Sequence, residues 1–293
     1  MAASFFFAFR RAIFTIAKLI LPLGGLYMLM PSKSRAKTNI LKFKSEDQVA
    51  AALAKYVADL SDKSIKEKGS FSVVLSGGSL IHTLRKLVED PYKTDVEWSK
   101  WLIFWVDERV VPLDDPESNF KQATDGFISK ASTNLLPVPP PPPNIYAIND
   151  KKSPKGAAED YEARLKNLVQ IKTIPVSKAS GCPKFDLMLL GMGPDGHVAS
   201  LFPSRPQRKE KKKWVTFITD SPKPPPSRIT FTFPVINSAS EIAMVVTGSE
   251  VADAVKVALG GGRGWGGTTL PCTEVSAEGE LTWFLDKDAA SKL

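Results

Sequence analysis

The segment Gly191-Met192-Gly193-Pro194-Asp195-Gly196-His197 sets an imidazole two residues beyond a carboxylate, directly after the apolar run at 185–190. Histidine titrates near neutrality, so it takes and returns protons at working pH with little tuning. The spacing lets Asp195 orient or charge the ring, and the glycines permit a tight turn. A lone histidine is more often structural than catalytic; here the strand-end position and the glycines favour catalysis. Ser76-Gly77-Gly78-Ser79 joins another apolar run to a helical pattern. Glycines let a backbone approach a ligand, and a helix start presents amide hydrogens to an anion, although such turns also use glycine for geometry alone. Asp107-Glu108-Arg109 follows a third apolar run, with Asp114, Asp115, Ser118 and Asn119 beyond it. Its bland reading is a solvated loop with a local ion pair.

Elements that would carry these groups are visible in the hydrophobic pattern. Ser45-Glu46-Asp47-Gln48 has the form of a capping box, and Val49, Leu53, Tyr56, Val57 and Leu60 follow at helical spacing, which predicts a helix at about 46–61. FSVVLS (71–76), WLIFWV (101–106) and FDLMLLG (185–191) are continuous apolar runs rather than alternating ones, as expected of parallel strands covered on both faces. Helical stretches at about 118–131, 154–170 and 250–259, and further runs at 214–219, 228–234, 241–248 and 281–285, complete an alternation. That alternation predicts an α/β fold with a doubly wound, mostly parallel sheet flanked by helices. Ligands of such sheets bind beyond the carboxyl ends of the strands, where all three polar segments fall. The prolines at 139–143 read as a stiff connection, and the glycines at 260–267 as a flexible loop.

Charge and cysteine usage exclude several functions. The net charge is +8, but residues 1–45 hold eight basic residues and no acidic one, leaving 31 of each sign in the remainder. A neutral body carries no footprint for nucleic acid. Cys182 and Cys272 form no disulfide framework, and with two histidines in the chain a histidine-rich metal site is not expected. The apolar segment 12–30 is broken by Lys18, Pro22 and Gly24-Gly25, yet reaches the roughly 20 residues needed to span a bilayer. Membrane anchor and targeting peptide stand level, so residues 1–38 are set apart as a leader, the chain's one route to a membrane, and 39–293 are read as a single domain. Ser291-Lys292-Leu293 spells a peroxisomal address. Cytosol or peroxisome is the expected location, with a plastid or a membrane as the alternative.

VVLSGGSL (73–80), FWVDERVVPLDDPESNF (104–120), FDLMLLGMGPDGHVASLFP (185–203) and DSPKPPPSRITFTFPVIN (220–237) together resemble the 6-phosphogluconolactonase family in its plant form. The resemblance runs from about residue 40 to the end. It implies a fold shared with glucosamine-6-phosphate isomerase/deaminase, hydrolysis of 6-phospho-D-glucono-1,5-lactone in the oxidative pentose phosphate pathway, and no metal or organic cofactor. Carried over by motif, His197 is the base that activates water. Asp195 and Arg109 steer the histidine and the substrate, and Ser76, Gly77, Gly78, Ser79 and Arg228 cradle the phosphate. Lys223 adds a cation or lies idle on the surface. Family members often carry a lysine shortly after the Val-Thr-Gly at 246–248, where this chain reads Ser249-Glu250-Val251. That departure keeps a non-catalytic sugar-phosphate binding protein in view. An aldose-ketose isomerase/deaminase is the rival enzyme, although the Asn-Glu-Pro that isomerases tend to carry after the histidine motif is absent.

Overall fold

The computed structural model describes residues 37–131 and 144–293; the leader up to residue 36 and the proline run at 139–143 lie outside them. Among the described residues nine strands are formed: β1 (Lys37–Phe43), β2 (Phe71–Leu75), β3 (Trp101–Trp105), β4 (Asp107–Arg109), β5 (Leu187–Leu190), β6 (Val215–Ile218), β7 (Arg228–Phe231), β8 (Glu241–Val246) and β9 (Glu280–Asp286). Six of them make one sheet in the order β1-β9-β8-β5-β2-β3, and every pair in it is parallel.

Each central strand feeds two cores. Along β3, Leu102 and Phe104 join one buried cluster, while Trp101, Ile103 and Trp105 join the other. In β5, Met188 and Leu190 face the first, and Leu187 and Leu189 the second. Side chains alternate across a strand, so a run apolar at every position needs cover on both faces. The helix Glu46–Lys68 covers one face through Val49, Leu53 and Val57, and Pro154–Gln170 covers the other through Tyr161 and Leu165. Both start on a serine whose hydroxyl accepts a backbone N–H three residues on, from Gln48 and from Gly156.

The structure departs from the sequence expectation at three places. WVTFIT and RITFTFP lie outside the main sheet: β6 and β7, with β4, form a separate antiparallel sheet in the order β4-β7-β6. Lys37 and Thr38, assigned from the sequence to the leader, belong to β1, which pairs with β9 along its whole length. The first helix runs on to Lys68 and stops at Gly69, whose φ of 81° is a left-handed cap. Among the described residues no helix is long and apolar enough to cross a membrane.

The crossovers fix where a site can form. From β2 the chain passes to β3 on one side of it and later returns to β5 on the other. The gap beyond the carboxyl ends of β2 and β5 is therefore a topological switch point. Ser76 and Gly191 open from those two ends, and the Ser76 amide donates to Leu189 O at 3.1 Å.

Candidate active site

A cleft of about 330 Å³ occupies this switch point. Ser76, Gly77, Gly78 and Ser79 border it after β2, Asp107, Arg109 and Asn119 after β3, and Gly191–Pro194 and His197 after β5. Lys223, Pro224 and Arg228 form the remaining wall. Seven of the eight predicted site residues line one cavity with each other; Asp195 contacts it through His197.

The turn after β5 is closed on itself. Gly193 N donates to His197 O at 3.0 Å, Gly196 N donates to Gly193 O at 2.9 Å, and Cys272 N donates to Gly196 O at 2.9 Å. His197 Nδ1 lies 2.5 Å from Asp195 Oδ1. A carboxylate on Nδ1 holds the proton there and leaves the lone pair on Nε2. Burial pushes the Asp195 carboxyl up, but the hydrogen bond and charge of His197, with the Lys223 ammonium, outweigh it and hold the group below its ordinary range. Gly193 is required by this contact: a Cβ there would overlap the imidazole and the Asp195 carboxylate. Phe202 backs the ring at 4.6 Å between centroids.

The opposite wall is organised by Glu108, a fully buried carboxylate. Its Oε1 accepts the amides of Arg109 and Asn119, each at 2.7 Å, and its Oε2 accepts Phe120 N at 2.7 Å and Ser118 Oγ at 3.3 Å. Burial pushes this group up to about 7, against the pull of the three amides. It ties β4 to the helix Asn119–Ala123 and so sets both Arg109 and Asn119 at the cleft. Asn119 Nδ2 donates to Asp107 O at 2.9 Å, and its side chain fills the space where a Cβ on Gly77 would lie. Three buried atoms of this wall, Ser76 Oγ, Arg109 Nε and Asn119 Oδ1, meet no hydrogen-bond partner among the described residues.

Arg109 and Arg228 stand directly opposite each other in the β4–β7 pairing. Like charges so placed repel; burial first, and then Arg109, lower the Arg228 guanidinium from its usual range. Asp107 offsets part of this, with its Oδ2 accepting Ser200 Oγ at 2.7 Å. Arg228 itself is buried and donates to Pro225 O, Lys223 O and Pro224 O at 3.0, 3.0 and 2.9 Å, with a longer contact to Ser200 Oγ at 3.4 Å.

Asn119, Asp107 and Glu108 were visible only as polar residues after a strand. The signal for the first was Ser118, a helix cap that fixes where the next side chain points. Val251, at the position where a lysine was expected, is buried in the core at 3% exposure and adds no charge to the cleft. No group of three or more His, Cys, Asp or Glu side chains fit to hold a metal occurs among the described residues.

The family profile described as glucosamine-6-phosphate isomerases/6-phosphogluconolactonase matches residues 44–283. The chain belongs to this family. It is 55% identical over 269 residues to 6-phosphogluconolactonase 3, chloroplastic, of Arabidopsis thaliana, covering 89% of this chain and 79% of that one. It is 51% identical to probable 6-phosphogluconolactonase 5 of the same plant, covering 88% of this chain and all of the relative. Among solved structures of the family, the 6-phosphogluconolactonase of Thermotoga maritima superposes with a TM-score of 0.69 at 27% identity, over 86% of this chain and all of the other. That of Trypanosoma brucei gives 0.72 at 25%, over 88% and 99%.

Proposed function

We propose that this protein hydrolyses 6-phospho-D-glucono-1,5-lactone to 6-phosphogluconate, with His197 as the general base. The observation that carries the reading is the Asp195–His197 pair at 2.5 Å, on a cleft whose far wall holds two opposed arginines. Relatives 51–56% identical to this chain bear the lactonase name, which favours the lactonase over the isomerase/deaminase half of the family.

The chemistry follows from the placement. His197 Nε2 takes a proton from water while the oxygen attacks the lactone carbonyl, and a tetrahedral oxyanion forms. Arg109 and backbone amides of the glycine turns are the donors within the cleft for that oxyanion. Collapse breaks the bond to the ring oxygen, which receives the proton from the imidazolium; the carboxylic acid so formed gives its proton to solvent and leaves as the carboxylate. Asp195 keeps the Nδ1 proton in place and stabilises the transient cation. The turn Ser76–Ser79, whose buried Ser76 hydroxyl is unpartnered among the described residues, supplies hydrogen bonds for the phosphate, and Arg228 lends positive potential. No metal or organic cofactor takes part in this scheme.

The test is lactone hydrolysis by wild type and by His197→Ala, with spontaneous opening subtracted. We expect the variant to lose about 10²–10⁴-fold, the usual contribution of a general base. Equal rates would replace the enzyme with a sugar-phosphate binding protein.

The location of the protein is read from its two ends. Chloroplastic relatives support a plastid address carried by the leader, residues 1–38. Ser291, Lys292 and Leu293 are exposed, as a tripeptide read as a peroxisomal address must be. Fluorescent fusions placed at one end and then at the other separate these, since each masks one signal.

A further inference from the structure

The segment 220–227, DSPKPPPS, is a strap over the cleft rather than a loose loop. Its start is tied down by an ion pair between Arg205 and Asp220, and Arg205 Nη2 also donates to Asp220 O at 3.2 Å. It closes through Ser221 N to Pro226 O at 3.0 Å, and Lys223 N donates to Ser221 Oγ at 3.3 Å. Three successive carbonyls, of Lys223, Pro224 and Pro225, are gathered by the single guanidinium of Arg228. Prolines at 222 and 224–226 restrict φ along the strap, so little backbone freedom is left to lose when a ligand arrives.

Among the described residues three cations border the cleft, and they differ in what they have left to give. Arg228 directs its donors at the strap and at Ser200. Arg109 Nη1 donates to Glu117 O at 2.6 Å and approaches the Glu117 carboxylate at 3.8 Å. Among the described residues the half-buried Lys223 side chain meets no hydrogen-bond or ion-pair partner, which leaves the three N–H groups of its ammonium for a ligand. Lys223 borders the same cleft as His197, and its charge helps to hold the Asp195 carboxyl below its ordinary range.

We infer that Lys223 is the cation that grips the substrate's phosphate, and that Arg228 is a positioning residue that holds the strap so that Lys223 can do so. The inference rests on the lactonase reading for the identity of the ligand. It also accounts for a cleft that lacks a lysine at 251, because the charge enters from the strap. Phe202 links the two functions: its ring lies 4.6 Å from the imidazole centroid and 5.9 Å from the Arg228 guanidinium carbon, so strap and base share one support.

Calorimetric titration of 6-phosphogluconate, gluconate and inorganic phosphate into wild type, Lys223→Met and Lys223→Arg tests this without relying on turnover. We expect Lys223→Met to weaken 6-phosphogluconate binding about 10- to 100-fold, to weaken inorganic phosphate in parallel, and to leave gluconate the least affected. Lys223→Arg should recover most of the loss. In the steady state KM should rise by a similar factor, with kcat falling less. Binding of 6-phosphogluconate within twofold of wild type, or a fall in kcat at constant KM, overturns the assignment; the second result would put the ammonium at the oxyanion. Should wild type bind 6-phosphogluconate through Lys223 yet open the lactone no faster than buffer, the hydrolytic reading fails and the anion grip stands.

Discussion

The two walls of the cleft are built on opposite plans. After β5, the turn 191–197 answers its own polar groups: backbone hydrogen bonds close it, and His197 and Asp195 answer each other. After β2 and β4, the wall has needs it does not meet, with Ser76 Oγ, Arg109 Nε and Asn119 Oδ1 all buried and without partners among the described residues. A reacting group must be aligned before substrate arrives, because realignment adds to the barrier. A recognising group gains from waiting, since a buried polar atom left unpaired costs about 1–3 kcal/mol, which the correct ligand removes. The contrast predicts that changes on the first wall strike kcat and changes on the second strike KM.

Asp195→Asn attacks the self-satisfied wall most directly. Its amide, turned to donate, would move the imidazole proton to Nε2 and abolish the lone pair that water needs. We expect kcat to drop on the order of 10²–10³-fold, with KM changed only a few-fold in a lactone assay. A KM change as large as the kcat change would erase the distinction between the walls.

Much of this architecture was legible in the sequence because its signals are local. The capping serines, the runs apolar at every position and the glycines after β2 and β5 each report on neighbours within a few residues. The sheet membership of β6 and β7 was not legible, because WVTFIT and RITFTF read alike in either sheet and only distant pairing decides between them. β1 escaped for another reason: it is an edge strand, with Ile40 and Leu41 about 40% exposed, and shows no buried face to detect. Arg228 was visible as a cation, but its ties to the carbonyls of residues 223–225 exist only once the strap has folded. The unpartnered atoms of the second wall were beyond sequence altogether, since lacking a partner is a property of the assembled cleft.

Glu108 underlies the second wall and gives it a dependence on pH. Its folded pKa, about 7, stands above the unfolded value of 4.5. The folded state therefore binds more protons between those values, and stability falls as pH rises from about 4.5 through 7. Glu108→Gln removes this titration but sets an amide where two donors expect an oxygen, at a cost of about 1–3 kcal/mol. Urea unfolding of both proteins across pH 5 to 8 should show their difference largest at pH 5 and shrinking upward. A difference that grows with pH would mean that the carboxylate, not the acid, is the favoured buried form.

Ser76→Ala is the mildest change and the sharpest test of the comparison. Among the described residues the hydroxyl has no partner to lose, so its removal should relieve the cost of an unpaired buried group and raise the unfolding free energy by up to about 1–3 kcal/mol. A new hydrogen bond to the substrate is worth about 0.5–1.5 kcal/mol, so KM should rise roughly 2- to 13-fold at nearly constant kcat. A loss of stability would show that the hydroxyl serves the fold, and an unchanged KM would show that the substrate passes it by. Either result would leave the second wall with one fewer group waiting for a ligand, while the first wall would be untouched.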